Sequence, residues 1–298
     1  MNDLRPWLAA CRPDRALLAP LSAAVGSSYA HFDAQPGPGL AAHALVTAAA
    51  FAAGCGVNFI DNGWDRLGEP PPEPGTVHSD ADWPLGSRES FLAGGAALLL
   101  AAVCGLGLVP LSGSAAVGYG FVAVTLGALR RAPVVGGDTL GWGLGDLATL
   151  LALGPLAALA GFASQAGMGS SGAVLAGLPA GLIAAAALFA RHFTEPEADT
   201  RWVRMTPVVA LGEEQARLVL VTLPGLAAGA IVIAARSGEY GPWASWAAIP
   251  LAVAALAAWR IPAAPAVADY ARWERLALGC AAAALVVIVV ALRIASPD

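Results

Sequence analysis

Residues 40–70 read LAAHALVTAAAFAAGCGVNFIDNGWDRLGEP, and this stretch decides the fold class. Its first part, from Leu40 to Ile60, contains no acidic residue and no arginine or lysine. A run of about 20 apolar residues is long enough to cross a bilayer as a helix. Asp61, Asp65 and Glu69 follow directly, four residues apart. If the helix continues beyond the apolar run, the three acids share one face.

The composition of the whole chain agrees with a membrane protein. The 298 residues are 57% hydrophobic and 12% charged, with a mean hydropathy of +0.66. A soluble domain of ordinary composition has about a quarter charged residues. The sequence therefore predicts an all-α, polytopic protein whose surroundings are the lipid bilayer. Nothing in it indicates a nucleic-acid partner, and no protein partner is inferable.

Nine apolar runs separated by polar breaks predict nine transmembrane helices. We expect them to form a single domain over residues 1–298, as one bundle around a central, lipid-accessible cavity. The runs at 115–129 and 244–259 are short for a bilayer-crossing helix. The predicted spans are residues 15–32, 40–60, 91–109, 115–129, 145–164, 173–191, 217–235, 244–259 and 275–294.

The distribution of arginine predicts the orientation of the bundle. All 16 basic residues are arginine, and with nine spans only Arg236 and Arg293 fall on the side opposite the N-terminus. Short loops rich in arginine face the cytosol. We therefore expect a multi-pass protein of the cytoplasmic (inner) membrane with a cytosolic N-terminus.

Two loops on the predicted cytosolic side, residues 61–90 and 192–216, carry acids at helical spacing. In the second loop, Glu195 and Asp199 lie four residues apart, with Glu197 between them. A single acidic loop is most often only a solvated surface. Two such loops, each beginning at the end of a span on the same side, favour a shared site instead.

The residue types in these loops are typical of magnesium and diphosphate binding. Carboxylate oxygens suit Mg²⁺, which keeps several waters and bridges to substrate phosphates. Arginine side chains neutralise the remaining phosphate charge. We expect the following residues to act, with Mg²⁺ as cofactor and a prenyl diphosphate as substrate: Asp61, Asp65, Glu69, Glu195 and Asp199 as metal ligands; Asn58, Asn62, Arg130, Arg131 and Arg204 at the diphosphate; and Asp61, Asp65 and Asp199 as the catalytic set.

The roles of two further residues near these loops can each be interpreted in two ways. Asp146 precedes a predicted span in GLGDLATLLALGPL, where it is a helix N-cap or faces the cavity. His192 follows the sixth span, where a structural hydrogen bond competes with a catalytic role.

The acidic motifs resemble those of the UbiA superfamily of intramembrane prenyltransferases. The first motif of that family reads roughly N-D-x-x-D-x-x-x-D, and residues 61–69 here read DNGWDRLGE. The first Asn and Asp are exchanged, and the last Asp is Glu69. The family's second motif is D-x-x-x-D followed by G-K-R-T, and here Glu195 and Asp199 match the acids, Arg204 the lysine and Thr206 the threonine.

The resemblance extends in order over about residues 10–220, and its details are closest to one branch. The preceding VNF at 57–59, the Arg12-Pro13 pair and the GLGD segment at 143–146 resemble the branch that prenylates dihydroxynaphthoate in menaquinone synthesis. This implies nine transmembrane helices and transfer of a prenyl group to a small aromatic acceptor. The exchanged Asn and Asp leave the acceptor less certain than the diphosphate.

Two rival hypotheses remain open at this stage. A membrane terpene cyclase of the same superfamily would use the prenyl diphosphate alone and quench the cation internally. A transporter or a non-catalytic protein on the same fold would place ionisable groups at the middle of the bilayer. Of the Arg, Asp, Glu and His residues only His43 lies well inside a predicted span, which disfavours transport.

Overall fold

The computed structural model describes residues 4–33, 35, 37–67, 85–129, 143–193, 206–261 and 267–296, and this part of the chain is helical, without strands. The helices are α1 Arg5–Cys11, α2 Pro13–Ala16, α3 Leu18–Phe32, α4 Leu40–Leu67, α5 Ser87–Ser112, α6 Ala115–Leu129, α7 Leu144–Leu151, α8 Ala157–Ala166, α9 Ser171–Phe189, α10 Pro207–Leu211, α11 Glu213–Ser237, α12 Ala248–Trp259 and α13 Val267–Ala295. A π-helical turn, Ala152–Leu156, joins α7 to α8, and 3₁₀ turns span Ala190–Phe193 and Pro242–Ala247.

Seven helical segments are long and apolar enough to cross a membrane, which confirms the all-α membrane class. The remaining two predicted spans correspond to α3 and α6, each of 15 residues. At 1.5 Å per residue such a helix is about 22 Å long, shorter than the ~30 Å hydrocarbon core. The count of nine spans stays a prediction. The seven segments are Leu40–Asp65, Ser87–Ser112, Leu144–Ala166, Ser171–Phe193, Glu213–Ser237, Pro242–Trp259 and Asp269–Ala295.

Helix α4 extends beyond the apolar run that predicts it. The predicted span ends at Ile60, whereas the helix continues to Leu67. Asn58, Asp61, Asn62 and Asp65 therefore lie on one continuous helix, as the spacing of the acids predicts. Glu69 lies outside the described residues.

The core of the bundle is built around α9. In the most apolar 18-residue window of Ser171–Phe193, the segment that contains α9, 72% of the residues are buried, against 17% in the corresponding window of α5. Helix α9 packs against α3, the π-turn, α11 and α13, while α5 packs chiefly against α4. The bundle thus has an enclosed half around α9 and a more open half formed by α4, α5 and α6.

The closest helix crossing in the enclosed half is between α3 and α8. A Cβ atom on Gly26 would lie 1.9 Å from the Ala158 carbonyl oxygen, and one on Gly161 would lie 1.9 Å from the Ala23 carbonyl oxygen. Small residues at a crossing let two membrane helices approach until their backbones touch. This contact fixes α8, and with it α7, relative to the rest of the bundle.

We expect Gly161→Ala to destabilise the protein, because its methyl group would occupy the space of the α3 backbone. Overpacking of this kind costs about 1–3 kcal/mol. Thermal unfolding in detergent measures the effect. Gly229→Ala on α11 is the matched control, since a Cβ there meets no atom within 4 Å. Equal unfolding temperatures for both variants and the wild type would contradict the close crossing.

Candidate functional site

The polar side chains in the last three turns of α4 are buried inside the protein. Asn58, Asp61, Asn62 and Asp65 are 8%, 1%, 3% and 4% exposed. A buried carboxylate is costly unless it is paired or hydrogen-bonded. The interpretation of Asp61 and Asp65 as solvated loop residues is therefore wrong for these two acids. Their burial at the end of a span is typical of a functional site.

The two asparagines hold α4 to its neighbours. Asn58 donates through Nδ2 to the carbonyl oxygens of Cys11 at 2.8 Å and Arg12 at 3.3 Å, at the junction of α1 and α2. Asn62 donates through Nδ2 to Ser90 Oγ on α5 at 2.7 Å. Both amides thus have a structural role, and their assignment to the diphosphate stays a prediction.

A buried ion pair joins the end of α4 to the end of α9. Arg191 donates to Asp65 Oδ2 at 2.8 Å, and the two side chains are 7% and 4% exposed. Arg191 lies in the 3₁₀ turn that follows α9 and leads towards the second acidic motif. The pair brings the start of that loop next to the first motif.

Several residues of the predicted site cannot be compared with the structure, because they lie outside the described residues. These are Glu69, Arg130, Arg131, Glu195, Asp199 and Arg204. Their roles stay predictions.

A histidine–aspartate pair lies between α7 and the end of α9. Nε2 of His192 is 3.0 Å from Oδ1 of Asp146, and both side chains are partly exposed. Gly143 occupies the N-cap position of α7, so Asp146 is not the N-cap but a residue of the first turn. The phenyl ring of Phe189 meets the His192 ring edge-on, with centroids 5.4 Å apart. Asp146 and His192 therefore form a hydrogen-bonded pair, which the sequence analysis does not predict.

An apolar cavity of about 410 Å³ lies between the two halves of the bundle. Its volume is in the range of small-molecule sites. Along α4 its lining runs from Val46 to Asn58, which is about 18 Å of helix. Alanine, glycine, leucine and valine make up most of the wall, and Arg15, Asn58 and Thr149 are its polar lining residues. The polar end therefore adjoins the turn of α4 that carries Asp61.

Arg15 is paired at this end of the cavity. It forms an ion pair with Glu274 on α13, and both side chains are largely buried. The ion pair thus connects α2 to α13 at the polar end of the cavity.

The donor chemistry of the described residues fits Mg²⁺ in part. Asp61 and Asp65 supply hard carboxylate oxygens one helical turn apart, of the type this ion prefers. Within the described ranges no group of three or more His, Cys, Asp or Glu side chains is close enough to hold a metal. Two of the five predicted ligands, Asp61 and Asp65, thus lie within the described residues, and their role as ligands stays a prediction, as does that of the three outside them.

Sequence reasoning does not assign Arg191 and Arg15 to the site, although both carry a detectable signal. Each lies at the predicted cytosolic end of an apolar span. An ionisable residue in such a position needs a partner, and its partner is a clue to the site. The partner itself, 126 residues away in one case, has no local sequence signature.

The fold of the chain is that of UbiA-type membrane prenyltransferases. A digeranylgeranylglyceryl phosphate synthase structure has a TM-score of 0.60 at 15% identity and covers 99% of this chain and 100% of its own. A UbiA homolog from Archaeoglobus fulgidus, bound to DMAPP and Mg²⁺, has a TM-score of 0.59 at 15% identity over 94% of this chain and 99% of its own. A UbiA homolog from Aeropyrum pernix K1 has a TM-score of 0.62 at 15% identity over 94% and 97%. No protein-family model and no curated protein sequence matches the chain.

We expect Asp65→Asn to lower the free energy of unfolding by about 3–5 kcal/mol, because it removes the buried carboxylate charge to which the Arg191 guanidinium donates. The double variant Asp65→Asn with Arg191→Met should recover part of this loss. Unfolding in detergent, followed by circular dichroism against denaturant, measures both.

Arg272→Gln is the matched control for this pair. Arg272 lies 3.8 Å from Asp269 and is 75% exposed. Its loss should change the free energy of unfolding by about 1 kcal/mol or less. A double variant no more stable than Asp65→Asn alone would show that the two residues are not coupled.

Proposed function

We propose that the chain is a Mg²⁺-dependent prenyltransferase that moves a prenyl group from an allylic prenyl diphosphate to a small aromatic acceptor within the membrane. One observation carries the proposal: buried carboxylates lie at the polar end of an apolar cavity, with Asn58 lining that cavity one turn before Asp61. A substrate with an anionic head and an isoprenoid tail fits a site that has acidic residues at one end and an apolar cavity beside them.

The head of the substrate would lie at the ends of α4 and α9. Asp61, Asp65 and Glu69 from the first motif would hold Mg²⁺ together with Glu195 and Asp199 from the second, while Arg130, Arg131 and Arg204 contact the phosphates. Mg²⁺ bound there supplies the positive charge that stabilises the departing diphosphate. The buried Asp65–Arg191 pair supports the convergence of the two motifs, since Glu195 follows Arg191 by only four residues.

The tail would lie in the apolar cavity along α4. Breaking the bond between C1 and the diphosphate oxygen leaves an allylic cation, which water would capture. Apolar walls from Val46 to Val57 exclude water from the tail, so that the aromatic acceptor is the nucleophile at C1. The cavity would therefore both bind the prenyl tail and favour the prenylated acceptor over the product of water capture.

Relatives of the same fold support the substrate class. The Archaeoglobus fulgidus UbiA homolog has structures bound to DMAPP and to GPP, each with Mg²⁺. The aromatic acceptor rests on the resemblance of the motifs to the menaquinone-pathway branch. The cytoplasmic membrane and the cytosolic N-terminus rest on the arginine distribution.

We expect Asp65→Ala and Asp199→Ala each to lower the rate of diphosphate release by about 100-fold or more, because each removes a charge that stabilises the leaving group through the metal. The measurement uses protein in lipid nanodiscs with geranylgeranyl diphosphate, Mg²⁺, and either a hydroxybenzoate or a dihydroxynaphthoate.

Glu214→Ala is the control, because it removes an acid on the same predicted cytosolic side that is exposed at the start of α11. Diphosphate release at the wild-type rate in both aspartate variants would contradict the site. A cyclic hydrocarbon formed by the wild type without any acceptor would instead identify a terpene cyclase.

We expect Ala50→Phe to shorten the space for the tail, because Ala50 lines the cavity. The ratio of transfer from geranylgeranyl diphosphate to transfer from dimethylallyl diphosphate should fall about tenfold. Ala48→Phe, two residues away on the exposed side of α4, is the matched control. An unchanged ratio in Ala50→Phe would show that the tail lies elsewhere.

A further inference from the structure

The His192–Asp146 pair lies close along the chain to two residues of the cavity wall. Thr149 on α7 and Leu188 on α9 both line the cavity. Asp146 precedes Thr149 by three residues on α7, and His192 follows Leu188 by four residues in the 3₁₀ turn after α9, so each lies about one turn from a lining residue. The pair therefore borders the same mouth as the buried acids of α4.

The geometry of the pair leaves one imidazole nitrogen available. Nε2 lies 3.0 Å from Asp146 Oδ1, so that in neutral His192 a proton on Nε2 is donated to the carboxylate. Nδ1 then carries the lone pair. A carboxylate hydrogen bond of this kind fixes the tautomer and the orientation of the ring. The edge-on contact with Phe189 further restricts the orientation of the ring.

Three other polar groups at this end take part in contacts between helices. Asp65 pairs with Arg191, Arg15 pairs with Glu274, and Asn58 binds backbone carbonyls of the α1–α2 junction. The π-helical turn between α7 and α8 also packs closely on α9 independently of the histidine pair. A Cβ atom on Gly154 in this turn would lie 2.6 Å from the Cα atom of Gly181 on α9. Packing alone therefore does not require His192 to bind Asp146.

We propose that His192 is the general base of the transfer and that Asp146 is its positioning residue, an inference that rests on the proposed function. An acceptor X–H gives an electron pair to C1 of the prenyl group, and the X–C1 bond forms. The C1–O bond breaks, and its electron pair leaves with the diphosphate. The proton of X–H passes to Nδ1 of His192, whether X is a hydroxyl oxygen or an aromatic carbon, and then to water. Asp146 stabilises the imidazolium formed in this step.

The test separates transfer to the acceptor from departure of the diphosphate. His192→Gln keeps an amide that can donate to Asp146 but has no basic nitrogen. With geranylgeranyl diphosphate and a hydroxybenzoate or a dihydroxynaphthoate, the prenylated product should fall by about 100-fold or more. Diphosphate release should fall only a few-fold, and geranylgeraniol from capture by water should appear instead.

A variant with a smaller side chain at position 192 provides a measurement that distinguishes a catalytic role from a purely structural one. His192→Gly leaves space for free imidazole, which should restore part of the transfer in a concentration-dependent way. Asp146→Asn should lower transfer by roughly 10–100-fold, the effect of losing a partner that orients a functional group. His31→Gln, at the opposite end of the bundle, is the control and should transfer at the wild-type rate.

Two results would overturn the role of His192. One is transfer by His192→Gln at the wild-type rate. The other is equal loss of transfer and diphosphate release in His192→Gly without rescue by imidazole. A wild-type protein that releases no diphosphate would contradict the proposed function itself, whereas the first two results leave that function standing.

Discussion

The buried ion pair between Asp65 and Arg191 is the contact on which the organisation of the site depends. Both side chains are removed from solvent, and the desolvation of two charges costs several kcal/mol before their attraction offsets it. An apolar pair of similar size would fill the same space at no such cost. A pair of this kind is therefore weak evidence for stability and stronger evidence for function. Here it brings the ends of α4 and α9 together, and each of these ends leads into one acidic motif.

The cavity follows from an uneven distribution of close packing. Helices in a bilayer associate through close contact of small residues, since lipid is as apolar as their side chains. The crossing of α3 and α8 at Gly26 and Gly161 uses this principle on one side of the bundle. On the other side, alanines and glycines of α4, α5 and α6 face one another across a gap that their small side chains do not fill. The same residue types thus produce a dense half and a hollow half.

The sequence predicts those features that depend on local spacing. The helical continuation of α4 is predictable, because the acids at 61 and 65 keep the four-residue interval of the helix. The partner of Asp65 is not, because no periodic pattern links position 65 to position 191. Asp146 resembles an N-cap, being a polar residue before an apolar run. The helix begins earlier, after Gly143 in a left-handed conformation, and Asp146 is then able to reach His192.

The first motif departs from the UbiA-superfamily pattern that it resembles, and the structure shows the contacts of the exchanged residues. The pattern N-D-x-x-D places an acid at position 62, about 100° around the helix from position 61. Here position 62 is an asparagine whose amide donates to Ser90 Oγ on α5 at 2.7 Å. The acid stands at position 61 instead, one full turn before Asp65, and both are buried. The exchange therefore keeps two carboxylates on one side of α4 while the amide secures that helix to α5.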